Sequence, residues 1–316
     1  MQDQLKKLLL GEQGLVVIFV LAFALVSLFV PNFLTERNML GLLQSVVTVG
    51  IVACTMMFCL AARDFDLSVG SIVAFAGMVA VMASNATGSI VLGILAALVC
   101  GFAVGFINGV VIAKFRINAL ITTLATMQIV RGFALIASDG RAVGINDPAF
   151  FNIALNKYFG VPAPIWVLAA LFILFGFVLN RTVFGKNTLA IGGNPEASRL
   201  AGVNVDRTRI MIFALQGLVC AVAGVLLASR ITSGQPNSAV GLELSVISAC
   251  VLGGVSLAGG RAAILGVIVG VMIMGIAENA MNLLNIPAFY QYIVRGVILL
   301  LAVLLDNLRS SAWGRH

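Results

Sequence analysis

An all-α bundle of about ten membrane-crossing helices is the fold class this sequence predicts, and three observations carry the prediction. First, 61% of its 316 residues are hydrophobic and only 10% are charged, with a mean hydropathy of +1.11. A soluble domain of this length needs far more charge, whereas in lipid each ionisable group at the bilayer centre costs roughly 2.5–3.5 kcal/mol. Second, apolar runs near the length of one crossing, about 20 residues, fall near 14–30, 39–61, 68–83, 90–113, 119–138, 165–180, 210–229, 244–257, 262–283 and 292–307. Third, the basic residues alternate between the breaks. With the N-terminus inside, the inside breaks collect thirteen Lys and Arg side chains and the outside breaks four, namely Arg37, Arg141, Lys157 and Arg230. The reverse orientation would breach the positive-inside rule.

Taken in order, the first run follows Lys6 and Lys7 and is succeeded by Pro31–Asn32–Phe33, with no small-residue cleavage site. It is expected to be an uncleaved span behind a cytoplasmic tail, 1–13, of one transmembrane permease domain, 1–316. Asp66–Leu67–Ser68–Val69 opens the third span and Glu243–Leu244–Ser245–Val246 the eighth. Ile129–Val130–Arg131–Gly132 and Ile293–Val294–Arg295–Gly296 recur in the fifth and tenth. Five is odd, so the second half enters the membrane reversed. This is the pattern of an inverted 5+5 repeat, with a pathway between the halves near the midplane. The outside segment 139–164 carries Phe150, Phe151, Tyr158 and Phe159, which suit an interfacial anchor or a docking surface. Both termini are expected in the cytoplasm, with membrane lipid around the spans.

Composition also excludes. The net charge of +7 is scattered over the breaks without an aromatic-interleaved basic face, so no nucleic-acid partner is expected. Five cysteines lie inside apolar runs as small hydrophobes, and the single histidine is His316. No metal site, catalytic set or resident cofactor is expected. The nearest approach to a phosphate-cradling loop, Gly254 to Arg261, lacks the Lys and Ser/Thr that reach phosphate and Mg²⁺.

Three groups of residues are left to carry chemistry. The inside segment 181–209 is long for a connection. Within it Asn194 suits a helix N-cap, Pro195 the first helical position, Glu196 the first turn and Gly202 the stop. It reads either as a docking knob or as a solvated loop. Asp66, Ser68, Glu243 and Ser245 open two spans; they either cap at the membrane face or begin broken helices beside the pathway. Arg131, Arg295 and Glu278 are intramembrane charges that call for pairing or snorkelling. Asn118, Thr122, Thr123, Gln128, Asn279 and Asn282 offer hydrogen bonds either to a polar solute or between helices.

The Gly192–Gly193–Asn194-x-x-Ala197-x-x-x-x-Gly202 pattern resembles the coupling loop of sugar-type ABC importer permeases, the ribose, xylose and arabinose group. Asp66–Leu67–Ser68–Val69–Gly70 is similar to that family's other signature. The stretches 117–127, 232–236 and 278–285 resemble the arabinose branch, and the resemblance runs from about Val30 to Leu305. It implies a monosaccharide cargo, most specifically L-arabinose, and alternating access in the inner membrane of a bacterium. It also implies a second permease copy, a periplasmic sugar-binding protein, and a separate ATPase that holds the ATP and Mg²⁺. Gly192, Gly193, Asn194, Pro195, Glu196, Ala197, Arg199, Leu200 and Gly202 would then be the ATPase-coupling residues. The rival reading is an ion-coupled secondary transporter of a small polar solute, for which Glu278 or Asp66 would be the proton site.

Overall fold

The computed structural model describes residues 12–313, so all but the end of the expected tail, together with Arg315 and His316, lies outside the described residues. Apolar runs with local caps become helices: α1 (Glu12–Phe29), α2 (Glu36–Ser45), α3 (Val47–Ala61), α4 (Val69–Thr87), α5 (Ile90–Lys114) and α6 (Ala119–Ala137). Asn118 caps α6, its side chain accepting from Leu120 N at 2.8 Å. The outside segment folds into β1 (Val143–Gly144), a 3₁₀ turn (Pro148–Phe151), α7 (Asn152–Leu155), and a hairpin of β2 (Lys157–Tyr158) with β3 (Val161–Pro162). Then come α8 (Ala163–Arg181), α9 (Val183–Gly193), α10 (Pro195–Leu200), α11 (Val205–Arg230), β4 (Ser233–Gly234), α12 (Leu242–Leu252), α13 (Ile264–Leu283) and α14 (Ala288–Trp313). Strand β4 pairs antiparallel with β1, tying the 231–241 connection to the outside segment.

Among the described residues seven helical stretches are long and apolar enough to cross a membrane: Glu36–Ala61, Val69–Thr87, Ile90–Lys114, Ala119–Ala137, Ala163–Arg181, Val205–Arg230 and Ile264–Leu283. Three further apolar helices are shorter, Gly14–Phe29, Leu242–Leu252 and Phe289–Leu304. The chain is therefore a polytopic helical membrane protein. The predicted span 39–61 is two helices in succession that meet at Val46. The predicted 244–257 stops at Leu252, where Gly253 and a left-handed Gly254 turn the chain.

Helix α3 is apolar all round and buried along nearly its whole length, which makes it the centre of the bundle. Helix α11 packs beside it, and α4 and α5 pack on α11 through glycines. Gly101, Gly105 and Gly109 line one face of α5 at four-residue spacing; a Cβ at Gly101 would stand 2.5 Å from the Gly217 carbonyl oxygen of α11. Lipid supplies no hydrophobic drive between helices, so close backbone contact of this kind does the packing.

Helices α4 and α5 form a tight hairpin through left-handed Gly88, yet α4 has 19 residues and α5 has 25. Six residues at 1.5 Å rise leave the start of α4 about 9 Å short of the end of α5. Helix α12, with 11 residues against the 20 of its antiparallel neighbour α13, likewise starts well inside the bundle. The two starts meet: a Cβ on Gly70 would lie 2.5 Å from the Ala239 carbonyl oxygen and 2.7 Å from a Glu243 carboxylate oxygen.

Candidate functional site

The segment 181–209 is mostly helical rather than a loop. Helix α9 presents Gly185, Thr188, Ile191 and Gly192 to the bundle, a buried stripe at helical spacing whose small and polar members hide it from hydropathy. Thr182 caps it, accepting from Gly185 N at 3.2 Å. Asn194 then caps α10, accepting from Ala197 N at 3.0 Å, with Pro195 at the first position as the sequence requires. At the other end Gly202, with φ +86°, donates to the Arg199 carbonyl while Val203 N donates to Ser198. That pair of bonds is a Schellman stop. Helix α10 is thus fixed at both ends and stands outward: Glu196, Ala197 and Arg199 are exposed, and Leu200 is 90% exposed.

Its footing is a set of contacts at the same end of the bundle. Arg199 lies 3.2 Å from Glu196 and 3.4 Å from Asp206 of α11, and Lys114 lies 3.7 Å from Asp206. These pairs are solvent-exposed and each contributes at most about 1 kcal/mol. The glycines beneath are more restrictive. A Cβ on Gly192 would stand 1.7 Å from the Ala61 carbonyl oxygen and 2.4 Å from Gly260 N, whereas one on Gly193 would meet nothing within 4 Å. Gly260 N donates to the Ala61 oxygen at 2.8 Å, so the end of α9, the end of α3 and the 256–261 turn converge on one carbonyl.

The connection 62–68 lies under this convergence. It opens with a second Schellman stop, Arg63 N donating to Leu60 O and Asp64 N to Cys59 O, both at 2.9 Å. Its left-handed position, φ +67°, is held by Arg63 instead of glycine, a conformation costing on the order of 1–3 kcal/mol. The Arg63 guanidinium donates to the Gly193 carbonyl at 2.9 Å. Asp64 is buried, with a carboxylate oxygen 3.1 Å from Arg209 Nε of α11. Burial pushes its carboxyl up to about 6, against the lowering effect of Arg209. Thr123 Oγ1 of α6 donates to the Ala119 carbonyl at 2.8 Å and lies 3.3 Å from the Phe65 carbonyl. Asp66 Oδ1 accepts from Ser68 N at 2.9 Å and from Ser68 Oγ at 2.5 Å. Asn108 of α5 donates to Ser68 Oγ at 3.1 Å, and Thr126 of α6 donates to Asn108 Oδ1 at 2.6 Å. The second oxygen of Asp66, a wholly buried residue, has no hydrogen-bond partner among the described residues. Between this connection, the start of α6, α10 and the start of α11 lies an open cleft of about 530 Å³, lined among others by Arg63, Asp64, Arg116, Asn118, Glu196 and Arg209.

The remaining predicted residues are dispersed. Asn279 exchanges amide hydrogen bonds with Asn38, at 3.0 and 2.9 Å, and Asn282 accepts from Gln291 at 2.8 Å; both join helices. Thr122 donates to the Asn118 carbonyl of its own helix. Gln128 is exposed on α6, and Ser245 is buried in the first turn of α12. Glu278 pairs with Arg295 at 2.8 Å, while Arg131 donates to the carbonyls of Pro236 and Ser238. Two residues escaped the sequence reading. Asn108 was signalled by a lone amide inside the apolar run 90–113, and Arg63 looked like one more inside charge. Among the described residues no group of three or more His, Cys, Asp or Glu side chains is placed to hold a metal ion.

Comparison with known proteins adds a family. The model described as branched-chain amino acid transport system / permease component matches residues 38–303. The L-arabinose transport system permease protein AraH of Escherichia coli (strain K12) is 57% identical over 301 residues, 95% of this chain and 92% of that protein. The L-arabinose ABC transporter permease protein AraH of Azospirillum brasilense is 56% identical over 303 residues, 96% of this chain and 89% of its own. The ribose import permease protein RbsC of Escherichia coli (strain K12) is 37% identical over 306 residues, covering 96% and 95%. No solved structure matches the chain.

Proposed function

The chain belongs to this family of transport-system permease components, and from that premise we propose that it is the membrane subunit of an ABC importer for L-arabinose. The observation that carries the reading is α10, a six-residue helix capped at both ends and presenting Leu200 outward. Its role is to sit in a recess of a separate ATPase, which binds the ATP and Mg²⁺ that this chain does not. The subunit is not itself an enzyme. Its other partners are a periplasmic binding protein that delivers the sugar and a second copy of this chain across the pathway.

The end carrying α10, Arg63, Arg116 and Arg209 faces the cytoplasm of a bacterial cell, as the excess of basic residues there favours. The three shorter apolar helices bring the seven long ones to ten crossings, with both termini inside. The inner starts of α4 and α12, meeting at Gly70 and Glu243, are the broken helices of a 5+5 inverted repeat. Alternating access opens the pathway there. The sugar is held weakly, since the amides Asn279 and Asn282 are already engaged between helices. An ion-coupled mechanism loses Glu278 to its pair with Arg295 and is left with Asp66, one of whose oxygens is held by Ser68.

The test is uptake of labelled L-arabinose into proteoliposomes holding this chain with and without the ATPase, the binding protein and ATP. Uptake requiring all of them is expected. Uptake by this chain alone on a pH or Na⁺ gradient would overturn the proposal.

A further inference from the structure

Every coupling scheme needs a path from the docking helix to the helices that move, and the contacts around residues 61–68 single one out. Ala61 offers its carbonyl to Gly260 N and sits under Gly192. Asp64 reaches Arg209 of α11, Phe65 reaches Thr123 of α6, and Ser68 reaches Asn108 of α5. One short connection therefore touches the foot of the docking helix at one end and three crossing helices at the other.

Arg63 is the residue that closes this connection onto α9. Its guanidinium donates to Gly193 O, the last carbonyl before the cap of α10, at 2.9 Å. Its stem lies so close to the 256–261 turn that a Cβ on Gly259 would stand 2.4 Å from Arg63 Cγ. Three turns thus meet on one side chain. The backbone beneath it is left-handed, where glycine or asparagine would sit with less strain. An arginine kept at a position that disfavours it on local grounds indicates that its side chain is what the position requires.

We propose that Arg63 is the positioning residue that transmits the ATPase-driven displacement of α9 and α10 to the 61–68 connection, and through it to α4, α5, α6 and α11. The proposal rests on the docking role of α10. The guanidinium reaches the carbonyl through one N–H at an exposed position, and the strut is held in line by the packing of its stem against the 256–261 turn. The Asp64–Arg209 pair and the Ser68–Asn108–Thr126 chain then distribute the motion to separate helices.

Arg63→Gly and Arg63→Asn test it, because both residues accept the left-handed backbone while deleting the strut. The measurements are assembly with the ATPase, ATP hydrolysis, and L-arabinose uptake per ATP hydrolysed in proteoliposomes. The expected result is normal assembly, ATP hydrolysis within about twofold of the unaltered complex, and uptake per ATP lowered about tenfold. An unchanged uptake-to-ATP ratio would overturn the proposal; so would loss of assembly in both variants, which would make Arg63 a purely structural residue. Leu200→Glu separates the underlying reading: it should abolish retention of the ATPase. Retention by that variant sinks the docking role itself, whereas loss of retention with a normal Arg63→Gly ratio sinks only the strut.

Discussion

Substituting Gly192 and Gly193 separately by alanine should divide two residues that the sequence presents as equivalent. At Gly192 the new methyl would stand 1.7 Å from the Ala61 carbonyl oxygen, against an ordinary contact of 3.4–4 Å. Both near neighbours are backbone, Ala61 O and Gly260 N, and neither can rotate aside. Helix α9 must therefore back away from α3 by about 1.7 Å. Such overpacking costs about 1–3 kcal/mol. Moving α9 also strains the Arg63–Gly193 bond and the Gly260–Ala61 bond beside it, whose loss would add about 1–3 kcal/mol. The total of roughly 2–6 kcal/mol corresponds to a melting point lower by roughly 5–15 °C. At Gly193 the methyl enters open space on helical backbone, where alanine stabilises by about 0.4–1 kcal/mol. The assay is the loss of the monodisperse peak on size exclusion in detergent after a temperature ramp. Melting points for the two variants within about 2 °C of each other would refute the packing of α9 onto the Ala61 carbonyl.

Two further predictions concern the buried polar residues. Asn108→Ala strips Ser68 of a donor and Thr126 of its acceptor, so it should lower stability by about 1–3 kcal/mol, read as a lower melting point in detergent; Thr126→Val removes only one end of the chain and should cost less. Asp64, raised from 3.8 to about 6, keeps its proton in the folded state at pH values where the unfolded chain has lost it. Stability should therefore fall by up to ~3 kcal/mol as pH rises from 4 to 6 and level off above, and Asp64→Asn should flatten that slope in melting curves taken across the window.

Where structure follows from local chemistry, the sequence was enough. The predicted span 119–138 is α6, Ala119–Ala137, because an apolar run bounded by an Asn cap needs nothing from the rest of the chain. The capped helix from Pro195 to Leu200 and its glycine stop were legible for the same reason. Helix α9 was not, since its buried stripe consists of two glycines, a threonine and one isoleucine, which no apolar periodicity marks. Nor could Gly192 be told from Gly193, because the difference lies in a carbonyl 131 residues earlier in the chain that only the folded bundle brings near. The role of Arg63 was hidden twice over: the rule that places basic residues at the inner face already accounted for it, and its left-handed backbone has no mark in the sequence.

The charges inside the spans show how the fold carries groups that lipid penalises. Arg131, twelve residues into α6, meets the non-helical stretch between β4 and α12, whose Pro236 and Ser238 carbonyls have no helical partner and accept from its guanidinium. An unwound backbone at that depth is tolerated only beside protein or water, and a guanidinium there is tolerated only beside acceptors. Each therefore supplies what the other lacks. The same exchange operates at the inner start of α12, where the Glu243 carboxylate lies against the first turn of α4 and so complements the positive end of that helix. The unwound backbone, Arg131 and Glu243 consequently gather in one region, where two helices begin inside the bundle. A pathway for a polar solute needs such a region, because a bundle of complete apolar helices would have no unpaired backbone and no paired charge with which to line it.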